Sequence, residues 1–449
     1  MSTNHEFMVP EAILGVSPMI AACAVLLIVY FFIITEKIHQ TIIAMLGAVA
    51  MIYLGLLNQE LAVQGIDFNT IFLLIGMMVL VGIMQRSGFF QYVAIVSAKT
   101  VKANPRALLI VLSIITAVFS ALLDNVTTVM LIVPITLLLT EQLKLNPYPF
   151  LFSQIFFSNV GGTATLIGDP PNILIGSAVG YGFMDFVYNV GPPALIISLF
   201  LFVFFDVLWG RKMETSMRAR AHLMRYDAAS ALTDKPLLYK SLFVLLLVLL
   251  GFTVGHHHGF EPGTVALSGG ALLMLLDTIG VKKDDVHKRV HQAFHEVEWD
   301  TIFFFIGLFI IVTGVEQSGF LAIIAHWIVE VTQGDLALTG MTIMWVSTIA
   351  SAFINNIPFV ATLIPVINSM AADFGGKDML EPLWWSLSLG ACLGGNGSIV
   401  GASANGMVAS YAARAGQGIS FLKFMALAFP LMLVTVVIGT IYAYFFYYQ

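Results

Sequence analysis

From Pro18 to Thr35 the chain runs without a charged residue, and from Phe421 to Tyr448 Lys423 is the only charge. Runs of this length reach the roughly 18–20 apolar residues that carry a helix across a bilayer. Hydrocarbon offers no partner to a backbone N–H or C=O, so a single spanning segment has to be an α-helix. Composition agrees: 59 % of the residues are hydrophobic and 10 % charged, against roughly 45–50 % and 25 % in soluble domains. The expected class is an all-α integral membrane protein. With only Cys23 and Cys392, neither a disulfide framework nor a thiolate metal site is in prospect. The beginning of the chain carries His5 and Glu6 where a secretory signal would be basic, so the first apolar run reads as a retained span.

The chain also repeats itself. Placing Phe68 on Trp299 lays FNTIFLLIGMMVLVGIMQRSGFF over WDTIFFFIGLFIIVTGVEQSGFL, and the same displacement matches Ser120 with Ser351, Asn125 with Asn356 and Pro134 with Pro365. Two residues more sets GGTATLIGDPPN (Gly161 to Asn172) on GGNGSIVGASAN (Gly394 to Asn405). Matches at Gly, Asn and Pro are not generic hydrophobicity. The expected domains are a first repeat over 1–210, a cytoplasmic linker over 211–238 and a second repeat over 239–449. Each repeat should hold five spans and one re-entrant helical hairpin, the hairpins near 106–142 and 337–370. One span of each is a broken helix, near 149–178 and 382–412. An odd number of crossings turns the second repeat upside down, the inverted plan of many secondary transporters. With the linker inside, every Lys and Arg except Lys377 falls on the cytoplasmic side, and both termini lie outside. A bacterial inner membrane is the expected location.

Polar residues lie where lipid should be. The hairpin tips carry Asp124, Asn125, Thr127 and Thr128 in the first repeat, and Asn355 and Asn356 in the second. Charge or unwound backbone at that depth has to face protein or an aqueous cavity. Helix N-termini after Asn125 and Asn356 would present free amides and a positive dipole end to a ligand. The broken spans add Gly161, Gly162, Thr163, Thr165, Asp169 and Asn172, matched by Gly394, Gly395, Asn396, Ser398, Ser403 and Asn405. The competing reading makes these helix glue and close packing. The repeats differ chemically: Asp124 and Asp169 face Asn355 and Ala402 across the alignment, and no Lys or Arg enters the four segments. Either Asp124 or Asp169 titrates during transport, or both are structural acceptors. The His256-His257-His258 run reads as a solvated external turn, and segments 87–105 and 318–335 as interfacial helices. No HExxH, GxSxG or phosphate-binding Gly-Lys-Ser/Thr loop is present, so an enzyme, ATP hydrolysis included, is not expected.

LLDNVTTVMLIVP, GGTATLIGDPPN and GGNGSIVGASAN resemble the ion transporter superfamily, in its ArsB/NhaD branch of arsenite permeases and P-protein-like permeases. The resemblance spans nearly the whole chain. It implies a homodimer and an elevator-type motion of the hairpins and broken helices, and it leaves a cytoplasmic ATPase subunit open. Distant divalent-anion/sodium symporters carry Ser-Asn-Thr tips where this chain reads Asp124-Asn125-Val126 and Asn355-Asn356-Ile357, which argues against dicarboxylates. The favoured expectation is proton-coupled efflux of arsenite or antimonite, since arsenous acid is neutral at pH 7 and suits an uncharged polar site. Sodium/proton antiport through Asp124 and Asp169 is the alternative, followed by a transporter or channel for chloride or an organic anion. No cofactor beyond the coupling ion (H+, or Na+) and no nucleic acid is expected.

Overall fold

A computed structural model describes residues 15–35 and 37–449 of the chain. The reading of the first residues therefore lies outside it, as do the side chains of His256 and His257. His258 closes a short 3-10 turn and is exposed.

All regular structure among the described residues is helical, and nine helices are long and apolar enough to cross a membrane. In the first half the main helices are α1 (Pro18–Thr35), α2 (Gln40–Tyr53), α3 (Phe68–Gln85), α4 (Phe89–Thr100), α5 (Pro105–Leu122), α6 (Asn125–Leu143), α7 (Tyr148–Thr163), α8 (Pro170–Val179) and α9 (Gly191–Leu208). In the second they are α10 (Lys235–Val254), α11 (Pro262–Thr278), α12 (Trp299–Gln317), α13 (Phe320–Val331), α14 (Leu336–Phe353), α15 (Asn356–Ser369), α16 (Glu381–Gly394), α17 (Ser403–Arg414) and α18 (Phe421–Phe446). Shorter helices at Gln59–Gln64, Phe183–Asn189, Met217–Met224 and Lys283–His295 join them.

Helix starts recur at matched places. The hairpins α5–α6 and α14–α15 begin on Asn104, which accepts from the Arg106 and Ala107 amides, and on Asp335, which accepts from Leu338. Such caps satisfy donors that the first turn leaves free. At the tips, Asp124 Oδ1 accepts the Thr127 amide at 2.7 Å and Asn355 Oδ1 the Ile357 amide at 3.2 Å. The segments expected at the interface form α4 and α13, each entered through a left-handed glycine, Gly88 at φ +79° and Gly319 at φ +80°.

The helices sort into two packed groups. The helices α1, α2, α3, α10, α11 and α12 pack on one another, chiefly α3 on α11 and α2 on α12. The hairpins, the broken helices α7–α8 and α16–α17, and the flanking α9 and α18 form the other. Within it the halves interlock: α6 packs on α17, and α15 on α8. Both broken helices are buried in this second group, α7 throughout its last three turns.

Candidate transport site

The breaks have a local cause. Pro170 and Pro171 cannot continue α7, having no N–H to give, and they push Asp169 into extended backbone at φ −145°, ψ 134°. Ala402 takes the same conformation, φ −144°, ψ 146°, without a proline after it. What holds the second break is therefore packing and hydrogen bonding. Ser120 donates to the Ser158 carbonyl at 2.5 Å, and Ser351 to Ala391 at 2.7 Å. Thr165 donates to the Ala121 carbonyl at 2.6 Å, and Ser398 to Ala352 at 2.5 Å. Each pair occupies the places that the sequence repeat matched. A methyl at Gly161 or Gly394 would overlap the backbone of Ala117 or Thr348, so these glycines let each hairpin touch its broken helix.

Asn172 and Asn405 are turned into the backbone. The Asn172 amide donates to the carbonyls of Gly162, Thr163 and Thr165 at 3.4, 3.1 and 2.9 Å; that of Asn405 donates to Gly395 and Ser398 at 2.7 and 2.8 Å. They close the carbonyl ends that the breaks expose, which α-helix geometry leaves unpaired. The Thr163 hydroxyl likewise returns to the Asn159 carbonyl, and Ser403 accepts from Asn355 at 3.1 Å. Six of the expected residues thus hold the breaks themselves: Thr163, Thr165, Asn172, Ser398, Ser403 and Asn405.

Asp169, Asn125, Asn356 and Asn396 converge. Asp169 is wholly buried; its Oδ1 accepts the Asn356 amide at 3.3 Å, and Asn125 and Cys392 lie against the carboxylate. Asn125 donates to Asn159 Oδ1 at 3.3 Å, and the Asn159 amide donates to Asn396 and Asn405 at 3.1 and 3.0 Å. One connected set of side chains thus joins both tips to both breaks. Among the nine buried side-chain atoms without a partner in the described residues are Asp169 Oδ2, Asn125 Oδ1, Asn396 Nδ2 and the Thr128 hydroxyl. Most buried polar atoms find a partner, and these do not. No lysine or arginine is buried among the described residues. Thr127 faces elsewhere, into a cavity of about 200 Å³ with Glu296 and Glu298. A second cavity of about 410 Å³ reaches Asn355 and Ser403 past His39. The linings of both cavities come together at one end of the bundle, where Thr41 bonds the Asp300 carbonyl and His39 meets the Asp300 carboxylate.

The sequence pattern did not single out Asn159 or Ser388. Asn159 matches Cys392 across the repeat, so no identity flagged it, and Ser388 donates to Asn172 at 2.6 Å from the middle of an apolar helix. Cys392 lies against the Asp169 carboxylate in the same centre.

This fold, with two tips and two breaks meeting in a buried polar centre, defines an integral membrane transporter. Residues 30–390 match the citrate transporter family CitMHS, to which the chain belongs. It is 36 % identical over 433 residues to an uncharacterized transporter of Mycobacterium tuberculosis, covering 96 % of this chain and 99 % of that one. The P protein of Homo sapiens is 32 % identical over 504 residues, covering 94 % of this chain and 59 % of the longer P protein. Among solved structures the Alcanivorax borkumensis YdaH transporter, described as having an unusual topology, overlays with a TM-score of 0.59 at 13 % identity, over 96 % of this chain and 98 % of that one. The family and the fold agree with the reading as a membrane transporter of the ion transporter superfamily, and not as an enzyme.

Proposed function

We propose that the protein is a secondary transporter of a small solute, coupled to protons through Asp169. One observation carries the reading: Asp169, buried with a free oxygen, stands among asparagines from both tips with no cationic side chain near. A carboxylate buried without a cation is costly unless it takes up a proton or another positive ion. Arsenous or antimonous acid, neutral and rich in hydroxyls, suits a cage of amides, so proton-coupled efflux of arsenite is the favoured case. The family description favours a second reading, an organic anion such as citrate. Against it, Asp124 and Asp169 would repel a bare carboxylate. Sodium for proton exchange at Asp169, and passive anion conduction, remain separable alternatives.

The architecture suggests how transport proceeds. The hairpins and broken helices would slide as one body against the α1–α3 and α10–α12 group, an elevator motion, within a homodimer. With basic residues inside, both cavities open to the cytoplasm. The test is flux in proteoliposomes under an imposed proton gradient and then a sodium gradient, with arsenite, citrate and chloride offered in turn. Arsenite moved uphill by the proton gradient, and not by Asp169→Asn, is the expected result. Proton-driven citrate uptake would select the second reading; sodium-driven proton movement without either solute would select antiport. Currents far above carrier turnover, with no uphill accumulation, would select a channel.

A further inference from the structure

Asp67 and Glu298 occupy matching places immediately before α3 and α12, and each accepts the hydroxyl of the threonine three residues on. Thr70 bonds Asp67 at 2.6 Å and Thr301 bonds Glu298 at 3.0 Å. There the likeness ends. The short Asp67 carboxylate also takes the Asn69 and Thr70 amides, at 3.0 and 3.2 Å, and is used up as a cap. Glu298 is one methylene longer, makes no cap bond, and stands in the wall of the cavity of about 200 Å³ with Glu296, Gln85, Thr127 and Tyr411. A helix start that forgoes its cap, worth about 1 kcal/mol, has its carboxylate placed for another use.

Thr127 links that cavity to the hairpin tip. Its side chain lines the cavity and its backbone amide donates to Asp124. Met78 separates the cavity from a small space that holds Asp124, Leu123 and Ile173. On its other side Asp124 adjoins Asn125, which lies against the Asp169 carboxylate. From the cavity inward the order of carboxylates is Glu298, Asp124 and Asp169, and the last has a wholly buried oxygen without a partner.

We propose that Glu298 is the outer member of a proton path, Glu298 to Asp124 to Asp169, that charges the transport site from the open face. The path rests on the proton-coupled reading above. Each step passes one proton from a carboxylic acid to the next carboxylate, and the donor returns to its anion; nothing is oxidised or reduced. Facing Glu298 are Asp124 from the hairpin tip, Glu296 and Asp300 from its own segment, and Tyr411 from α17. No Lys or Arg is among the residues lining the cavity. Burial, and then the nearby Asp124 charge, push the Glu298 carboxyl up to about 7, against a smaller lowering by the Thr301 hydroxyl. Both protonation states are then populated at neutral pH, which a relay group requires.

The experiment compares wild type, Glu298→Gln and Glu298→Asp as full-length protein in vesicles loaded with a pH-sensitive dye. Arsenite, sodium and citrate are each offered, under a proton gradient and then as solute exchange at equal pH. Glu298→Gln should lower proton-driven flux about tenfold, the weight of one pH unit, and lower exchange much less. An infrared carboxyl band titrating near pH 7 in wild type should lose intensity in the same variant. Glu298→Asp, drawn back onto the helix cap as Asp67 is, should fold normally and still lose the proton response. Either variant matching wild type in proton-driven flux overturns the path. Wild type that moves no protons with any of the three probes sinks the coupling itself, and the path with it.

Discussion

Asn172 and Asn405 resemble ligand residues in every sequence respect, and the direction of their amides decides otherwise. Each spends its two donors on carbonyls, three of them for Asn172. A carboxylate is the same size but can only accept, so Asn172→Asp would set a buried charge against three carbonyl oxygens. Unpaired buried groups cost about 1–3 kcal/mol each and charges more, so Asn172→Asp should lose on the order of 3 kcal/mol. Thermal unfolding in detergent measures this, and a midpoint equal to wild type would refute the assignment. Asn125 and Asn356 belong to the other kind. Asn125→Ala and Asn356→Ala should abolish transport with folded yield intact, since each removes a group at the Asp169 centre; normal flux in both would remove the tips from the site. Which asparagine does which was not readable in the sequence. The repeat marked Asn172 and Asn405 because they match, and hid Asn159, the member that joins the halves, because its counterpart is Cys392. A symmetric alignment finds what both halves need to fold; it overlooks what makes them differ, and the chemistry lies in the difference.

Helix ends and breaks were the more predictable part, because their causes are local. Proline after Asp169, glycine pairs at Gly161 and Gly394, and Asn or Asp at hairpin starts act within a few residues. The second break shows the limit. Ala402 repeats the Asp169 backbone with no proline to impose it, held by Ser351 and Ser398 bonds and by the Gly394–Gly395 approach. Two matched glycines test how far local cause reaches. Gly88 and Gly319 share a left-handed φ, but a methyl at Gly319 meets open space while one at Gly88 would strike the Ala231 carbonyl. Gly319→Ala should cost only the backbone term, about 1–2 kcal/mol. Gly88→Ala should cost clearly more, because the segment carrying Ala231 has to move. Equal shifts in unfolding temperature would show that the linker contact at Ala231 contributes nothing.

How the two groups sit in the membrane follows from charge and shape together. Exposed apolar side chains such as Leu27 on α1, Phe243 on α10 and Phe446 on α18 cover the outside of the bundle, as a lipid-facing surface requires. Arginines hold two aspartates at helix ends: Asp277, 3 % exposed, is pinned between Arg86 and Arg289, and Asp206 takes Arg106 and Arg211. Basic residues near span ends settle on the cytoplasmic side, and Arg86, beside the cavity-lining Gln85, bonds Gln292 at the end of the bundle that carries Glu296 and Glu298. The state seen would then be the one open to the cytoplasm. Lys377, beyond α15 and on the far side of the second hairpin, should face out, whereas Lys283, at the start of the connecting helix, should face in. Single cysteines at these positions, in a chain with Cys23 and Cys392 replaced, can be labelled on intact cells with a maleimide that does not cross membranes. Label at position 377 and none at 283 until the cells are opened is the expected outcome. The reverse would turn the protein over in the bilayer: both cavities would then open outward, and Glu298 would collect protons from outside the cell.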